Sequence, residues 1–202
     1  MAEPGPQDIE IIAKRAAFQG YFRVDEYTMR HGRFDGGWHT TVTREVFERG
    51  HAAAVLPYDP IEGVFVLCEQ FRIGAYAGHM TPCQIELVAG IIEPGETPEA
   101  VARREAREEA GLEVLDLMPI AHYLVSPGGA TETTALYLGR IIAPVSGGIF
   151  GVEGEGEHIR VHILPEANVR RMLDESRFEN AQTIIAVQWF FLNRERILSV
   201  WK

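Results

Sequence analysis

Apolar and polar positions divide the chain into two textures. From Ile9 to Arg49 the apolar residues come in short runs that predict strands over Ile9–Ala17, Gln19–Arg30 and Trp38–Glu48. Gly20 and the glycine-bearing segment 31–37 supply the turns. About forty residues of strand bury too little to be stable alone, so this region has to pack on the rest of the chain or on a second copy of itself. After Gly50 the runs become continuous and read as buried strands over Ala52–Leu56, Gly63–Cys68 and Ile85–Ala89. Pro98–Ala110 is predicted to be helical, with Thr97 as N-cap, Pro98 at the first position, Ala102, Ala106 and Ala110 on one face, and Gly111 at the end. Strands over Val114–Val125 and Glu132–Ile141 flank the turn at 126–129. A glycine-rich loop, 147–157, then leads to a strand over Ile159–Leu164 and helices near Pro165–Asp174 and Asn180–Ile197. The expected fold class is an α/β/α sandwich with a mixed sheet, plus a small N-terminal β-sheet region. The expected organisation is a disordered segment 1–8, a β region 9–49 and one domain over 50–202.

Composition narrows the functions open to such a fold. The 202 residues are 46% hydrophobic and 24% charged, which suits a folded globular chain. Lys and Arg total 19 against 29 Asp and Glu, a net charge of −10, the wrong sign for holding nucleic-acid backbones. Cys68 and Cys83 both sit in apolar contexts, so no disulfide framework is expected and a reducing cytoplasm fits. The start, MAEPGPQDIE, lacks a basic and then apolar leader, and the apolar stretch 183–192 is too short to span a bilayer, so no membrane partner is expected.

The chemistry concentrates in the helix over Pro98–Ala110. Between Glu93 and Glu113 lie seven glutamates against three arginines, an excess of four negative charges. Glu105, Glu108 and Glu109 are three and four apart, so they project within one sector of the helix and repel one another. A solvated face laced by Glu99–Arg103 and Arg104–Glu108 pairs is one reading of that pattern. The other is a cation site, because the helix is entered through a glycine-bearing loop at the end of a buried strand, where α/β proteins place ligands. Clustered carboxylate oxygens suit Mg²⁺, with Mn²⁺ as a substitute.

Gly90, Glu96, Arg104, Glu105, Ala106, Glu108, Glu109, Gly111 and Leu112 fill every fixed position of the pattern G-x5-E-x7-R-E-U-x-E-E-x-G-U, with Ala106 small for a bulky position. The chain thereby resembles the Nudix hydrolases. The resemblance implies metal-assisted attack of water on a nucleoside diphosphate linked to another group. It also implies that Glu105 and Glu109 bind the metals, with Glu108 beside them in the catalytic set. The Ala89 carbonyl is implied as a further ligand, and Glu96 and Arg104 as braces of the loop and helix.

The flanks resemble the ADP-ribose pyrophosphatase branch. Pro127 lies fifteen residues after Leu112, within Ser126-Pro127-Gly128-Gly129-Ala130-Thr131-Glu132, which looks like that branch's substrate loop and is otherwise an ordinary turn. Similarity extends to Arg44–His51, Glu69–Arg72 and Glu86–Gly90, with Val88 where many members have proline. Pro127, Gly128 and Glu132 are therefore candidate substrate contacts. So are Arg44, Arg49 and Arg72, whose guanidinium forks suit phosphate or ribose oxygens when they are not spent in surface ion pairs. Tyr21 and Phe22 are candidates to stack on adenine, with core packing as their alternative. The loop carrying Glu153, Glu155 and Glu157 is either a solvated acidic loop or, by the resemblance, a closing loop in which Glu155 is the general base and Glu157 a further metal ligand. The branch also implies a homodimer formed through the N-terminal region. The expected activity is Mg²⁺-dependent hydrolysis of ADP-ribose to AMP and ribose 5-phosphate. The alternatives are another nucleoside diphosphate sugar such as GDP-mannose, or a non-catalytic sensor of ADP-ribose.

Overall fold

The computed structural model describes residues 4–152, 154 and 156–201. It divides into two units, Met1–His51 with Leu124–Thr133, and Ala52–Tyr123 with Thr134–Lys202.

The first unit is built on an antiparallel sheet, order β1-β2-β3, of β1 (Ile9–Gln19), β2 (Arg23–His31) and β3 (Val42–Glu48). The strand expected from Gln19 starts only at Arg23, because Gly20 turns the chain and donates its amide to the Phe22 carbonyl at 2.9 Å. The strand expected from Trp38 starts at Val42. Gly36 and Gly37 both take positive φ, and Trp38 forms only a single bridge to Gly32. Asp25 is buried on β2 and neutralised by Lys14 at 2.9 Å and Arg23 at 2.6 Å; the Lys14 hydrogen bond leads in holding its carboxyl below the ordinary range. All eleven residues of β1 are exposed, including Ile9, Ile11, Ile12 and Phe18. Segment 124–133 joins this unit by backbone bonds on both sides of Phe47, whose amide donates to Gly129 at 2.8 Å and whose carbonyl accepts from Thr131 at 3.2 Å.

The second unit runs β4 (Ala52–Asp59), β5 (Val64–Phe71), α1 (Ile73–Ala77), β6 (Cys83–Glu86), β7 (Val88–Ile91), α2 (Pro98–Ala110), β8 (Asp116–Leu124), β9 (Thr133–Arg140), β10 (Ile149–Phe150), β11 (Ile159–Pro165), α3 (Glu166–Asp174) and α4 (Ala181–Trp201). Its sheet has the order β10-β11-β5-β4-β9-β8, mixed because β4 and β9 run parallel while β5 is antiparallel to β4 and β11. The single strand expected over Ile85–Ala89 is two. β4 and β5 pair only at Tyr58–Phe65 and Asp59–Val64, and beyond that point they diverge. The chain from Cys83 to Ile91 fills the gap, β6 bonding to β5 and β7 to β4, with Leu87 at the changeover buried in the core.

Both faces of this sheet are covered, which is why its strands read as continuous apolar runs. Ala54, Leu56, Tyr58, Phe65, Leu67, Leu136 and Leu138 pack with Phe190, Ile197 and Trp201 of α4. Val55, Val66, Cys68, Val88, Ile159 and Val161 pack with Ala102, Ala106 and Ala110 of α2. Each large side chain so buried contributes about 1.5–3 kcal/mol. α4 continues past the expected end at Ile197 because Trp201 is buried and its Nε1 donates to Asp116 at 3.0 Å. α1 and β10, five and two residues long, were not expected, since neither spans enough chain to show a period. Among the described residues no helix is long and apolar enough to cross a membrane.

Candidate active site

The α2 helix starts where Thr97 Oγ1 accepts the Ala100 amide at 3.2 Å. It stops at Gly111, whose left-handed φ of 64° lets the Gly111 amide reach the Arg107 carbonyl at 3.0 Å and that of Leu112 reach Ala106 at 2.8 Å. Between these caps the alanine stripe lies on the sheet and the carboxylates beside it are drawn inward. Glu105 is 9% exposed and Glu109 4%, whereas Glu108 stands on the solvent side.

Among the described residues, each of these two buried carboxylates has one hydrogen-bond partner. Glu109 Oε2 accepts the Ala89 amide at 3.0 Å, and Glu105 Oε1 accepts Arg104 Nη1 at 2.7 Å. Gly90 has to be glycine for Glu105 to stay in place, because a Cβ there would lie 1.7 Å from Glu105 Oε1. Arg104 ties the helix to its entry loop, reaching Glu96 at 3.0 and 3.2 Å and Glu108 at 2.9 Å, while Glu96 accepts the Glu93 amide at 3.1 Å. Of the two expected surface pairs, only Arg104–Glu108 forms. Glu99 instead accepts the Tyr137 hydroxyl at 3.0 Å, and Arg103 donates to the Val114 carbonyl.

Glu157 closes a small loop on itself: its Oε2 accepts the Val152 amide at 3.1 Å and its amide donates to the Val152 carbonyl at 3.3 Å. Gly151 makes this possible with a φ of 110°, at a site where a Cβ would meet Glu157 Cβ at 2.7 Å. Glu155 and Glu153 lie outside the described residues.

Burial, foremost, raises the Glu105 carboxyl above its ordinary value, against the pull of Arg104. Burial also dominates at Glu109, which is pushed up to about 8; the Ala89 amide opposes this, and the Glu105 and Glu157 charges add to it. The cluster is thus short of positive charge, the condition a hard divalent cation relieves. Among the described residues no three His, Cys, Asp or Glu side chains close on a common point; Glu105 is turned onto Arg104 and Glu109 onto the Ala89 amide. The donor set fits Mg²⁺ once those two carboxylates exchange these partners for the cation.

Arg72, just past β5, donates through Nε to Glu86 Oε2 at 2.7 Å. Glu86 is a site residue absent from the sequence-derived candidates, although an acid within the otherwise apolar stretch 85–91 is a visible signal. In the first unit, Phe22 gathers the other candidates. Tyr21 packs edge-on against it at 4.8 Å, Phe47 does so at 5.1 Å, and the Arg49 guanidinium lies 5.7 Å from its ring centre. Arg49 also pairs with Glu132 at 3.4 Å. Tyr21 is exposed, so it is not the core residue its alternative reading required. Arg44 donates to the Thr43 carbonyl at 2.9 Å, and Pro127 and Gly128 sit in the exposed turn that the Gly129 and Ala130 amides close on Ser126.

Known proteins are similar to this chain over most of its length. ADP-ribose pyrophosphatase of Escherichia coli (strain K12) is 44% identical over 197 residues, covering 98% of this chain and 94% of its own. The protein of that name from Haemophilus influenzae is 38% identical over 199 residues, with 97% and 92% covered. GDP-mannose pyrophosphatase of Yersinia pestis is 32% identical over 182 residues, covering 90% of each. A crystal structure described as an ADP compounds hydrolase superposes with a TM-score of 0.72 over 96% of both chains at 20% identity, a likeness of fold. The NUDIX domain family matches residues 48–190, the span that contains the carboxylate helix, its entry loop and the Glu157 loop, and the chain belongs to the Nudix family.

Proposed function

We propose that the protein is an Mg²⁺-dependent ADP-ribose diphosphatase, able to use Mn²⁺, that yields AMP and ribose 5-phosphate. The observation that carries this reading is the buried Glu105–Glu109 pair against Ala89 and Gly90, in a chain similar end to end to ADP-ribose pyrophosphatases. Similarity to the GDP-mannose enzyme is lower, and a sensor without turnover would be expected to carry a damaged carboxylate motif, whereas every fixed position is filled here.

In this reading Glu105, Glu109, Glu157 and the Ala89 carbonyl hold the cations. When bound, these neutralise the diphosphate oxygens and acidify a water. Glu108 belongs to the same set, paired with Arg104 at the rim. A carboxylate not committed to a cation has to take the proton of the attacking water, and that role falls to Glu155. The water oxygen bonds to phosphorus, the bridging P–O bond breaks, and the departing phosphate takes the bridging oxygen. Arg44, Arg49 and Arg72 serve the substrate's phosphate and ribose oxygens, Tyr21 its base, and Pro127, Gly128 and Glu132 the remainder. The strand region 9–49 forms a homodimer, for which the fully exposed β1 provides the surface. Neither nucleic acid nor membrane is a partner. With Cys68 and Cys83 both free, a reducing cytoplasm suits the protein.

The test is product analysis on an equimolar mixture of ADP-ribose and GDP-mannose, with and without Mg²⁺. AMP ahead of GMP, only with the cation, is expected. GMP first, or equal rates, overturns the substrate assignment, and turnover unaffected by chelator overturns the cation requirement. Within the mechanism, Glu155→Gln should lower kcat by about 10²–10⁴-fold with cation affinity retained; wild-type kcat in that variant would move the base elsewhere.

A further inference from the structure

Glu86 is a buried acid in a neighbourhood that already has too many. It is 7% exposed at the end of β6, directly opposite Cys68 of β5, and its charge acts on that thiol together with the charge of Glu109. Burying a carboxylate that shares a neighbour with the buried Glu109 is unfavourable unless it is paired, and the pairing here has a specific form. Arg72 lies four positions beyond Cys68, so its side chain runs back along the sheet to reach Glu86. It does so through Nε alone, at 2.7 Å, and no hydrogen bond of its two terminal nitrogens is found among the described residues. The Arg72 side chain is 42% exposed while that of Glu86 is 10% exposed. The buried acid therefore fixes the guanidinium by its inner nitrogen and leaves the Nη1–Nη2 edge free, the edge that makes forked bonds to phosphate.

The geometry points to Glu86 as a positioning residue that aims the outer edge of Arg72 at a phosphate oxygen of the nucleoside diphosphate substrate. It touches neither substrate nor cation and acts through Arg72, whose charge also acts on Glu109. An ion pair that merely pins the end of β5 to β6 would need no free edge and would not couple to ligand binding. This inference rests on the nucleotide-sugar reading of the site.

A double-mutant cycle separates these roles. Glu86→Ala, Glu86→Gln, Arg72→Ala and the Glu86→Ala/Arg72→Ala double variant are compared for ADP-ribose Kd by calorimetry, for KM and kcat, and for thermal stability. Glu86→Ala should weaken Kd and raise KM about tenfold. Glu86→Gln, which can still accept from Nε, should recover most of that loss, and the double variant should bind no worse than Arg72→Ala alone. Equal losses in the two Glu86 variants, or a Glu86→Ala effect that persists undiminished when Arg72 is already gone, would overturn the proposal. Lowered stability with unchanged Kd would assign the pair to the sheet alone. If the wild type binds and turns over GDP-mannose in place of ADP-ribose, the substrate reading falls, and the same cycle on GDP-mannose still decides the role of Glu86.

Discussion

Glu109 carries the sharpest consequence of burial at the scale of one residue. Its carboxyl sits near 8 against an ordinary 4.5, so the folded protein keeps a proton that the unfolded chain releases above about pH 4.5. Without cations, stability should therefore fall as pH rises from about 5 to 8 and then level off. The acids held below their ordinary value, Asp25 and Glu96 among them, lose their contribution only below that window. Thermal melts in chelator should show the decline, Glu109→Gln should reduce it to the share left by Glu105, whose carboxyl burial also raises, and Mg²⁺ should lift its alkaline end; a wild-type Tm that is flat or rises over this range would contradict the assignment. The same variant should lose at least about 10²-fold in kcat. Gly90→Ala tests the neighbouring contact. The added methyl displaces the flexible end of Glu105 more readily than backbone, so kcat should fall about tenfold or more while the fold persists; unchanged kcat would show that Glu105 need not sit there. The sequence displayed these acids, their spacing and their glycine. It could not display which nitrogen of Arg72 meets Glu86, because that depends on two strands laid side by side.

Secondary elements were legible wherever periodicity or capping chemistry had room to act. Thr97, Pro98 and Gly111 mark the two ends of α2, and the structure begins and ends the helix at those residues. Thr97→Ala should cost about 1 kcal/mol in denaturant unfolding with KM unchanged, since it removes a cap a full two turns from Glu105. A loss below a few tenths of a kcal/mol would mean that Pro98 alone sets the start. The division of 83–91 into β6 and β7 was not legible, because an apolar run does not reveal that its two halves bond to different neighbours. Segment 124–133 was likewise readable as a turn but not as part of the N-terminal unit, a placement set by the Phe47 backbone some eighty residues earlier.

For the whole molecule, the exposed β1 is the feature that bears on assembly. An eleven-residue strand with Ile9, Ile11, Ile12 and Phe18 open to solvent is costly in an isolated chain, and a second copy is the simplest cover. Sedimentation at micromolar concentration should give a dimer, and a monomer there would remove the role proposed for residues 9–49. The parallel pairing of β4 with β9 sets, in addition, an order of events. It joins Ala52 to Thr134, 82 positions along the chain, whereas β4–β7, β5–β6 and the hydrogen-bond partners of Glu105 and Glu109 all lie within residues 52–110. Closing the longer loop carries an entropy cost that is repaid only after the nearer contacts exist. A nascent chain that has emerged as far as Gly111 already holds the parts of the carboxylate cluster on α2, so this end of the molecule can assemble during synthesis before the strand that completes the sheet has been made.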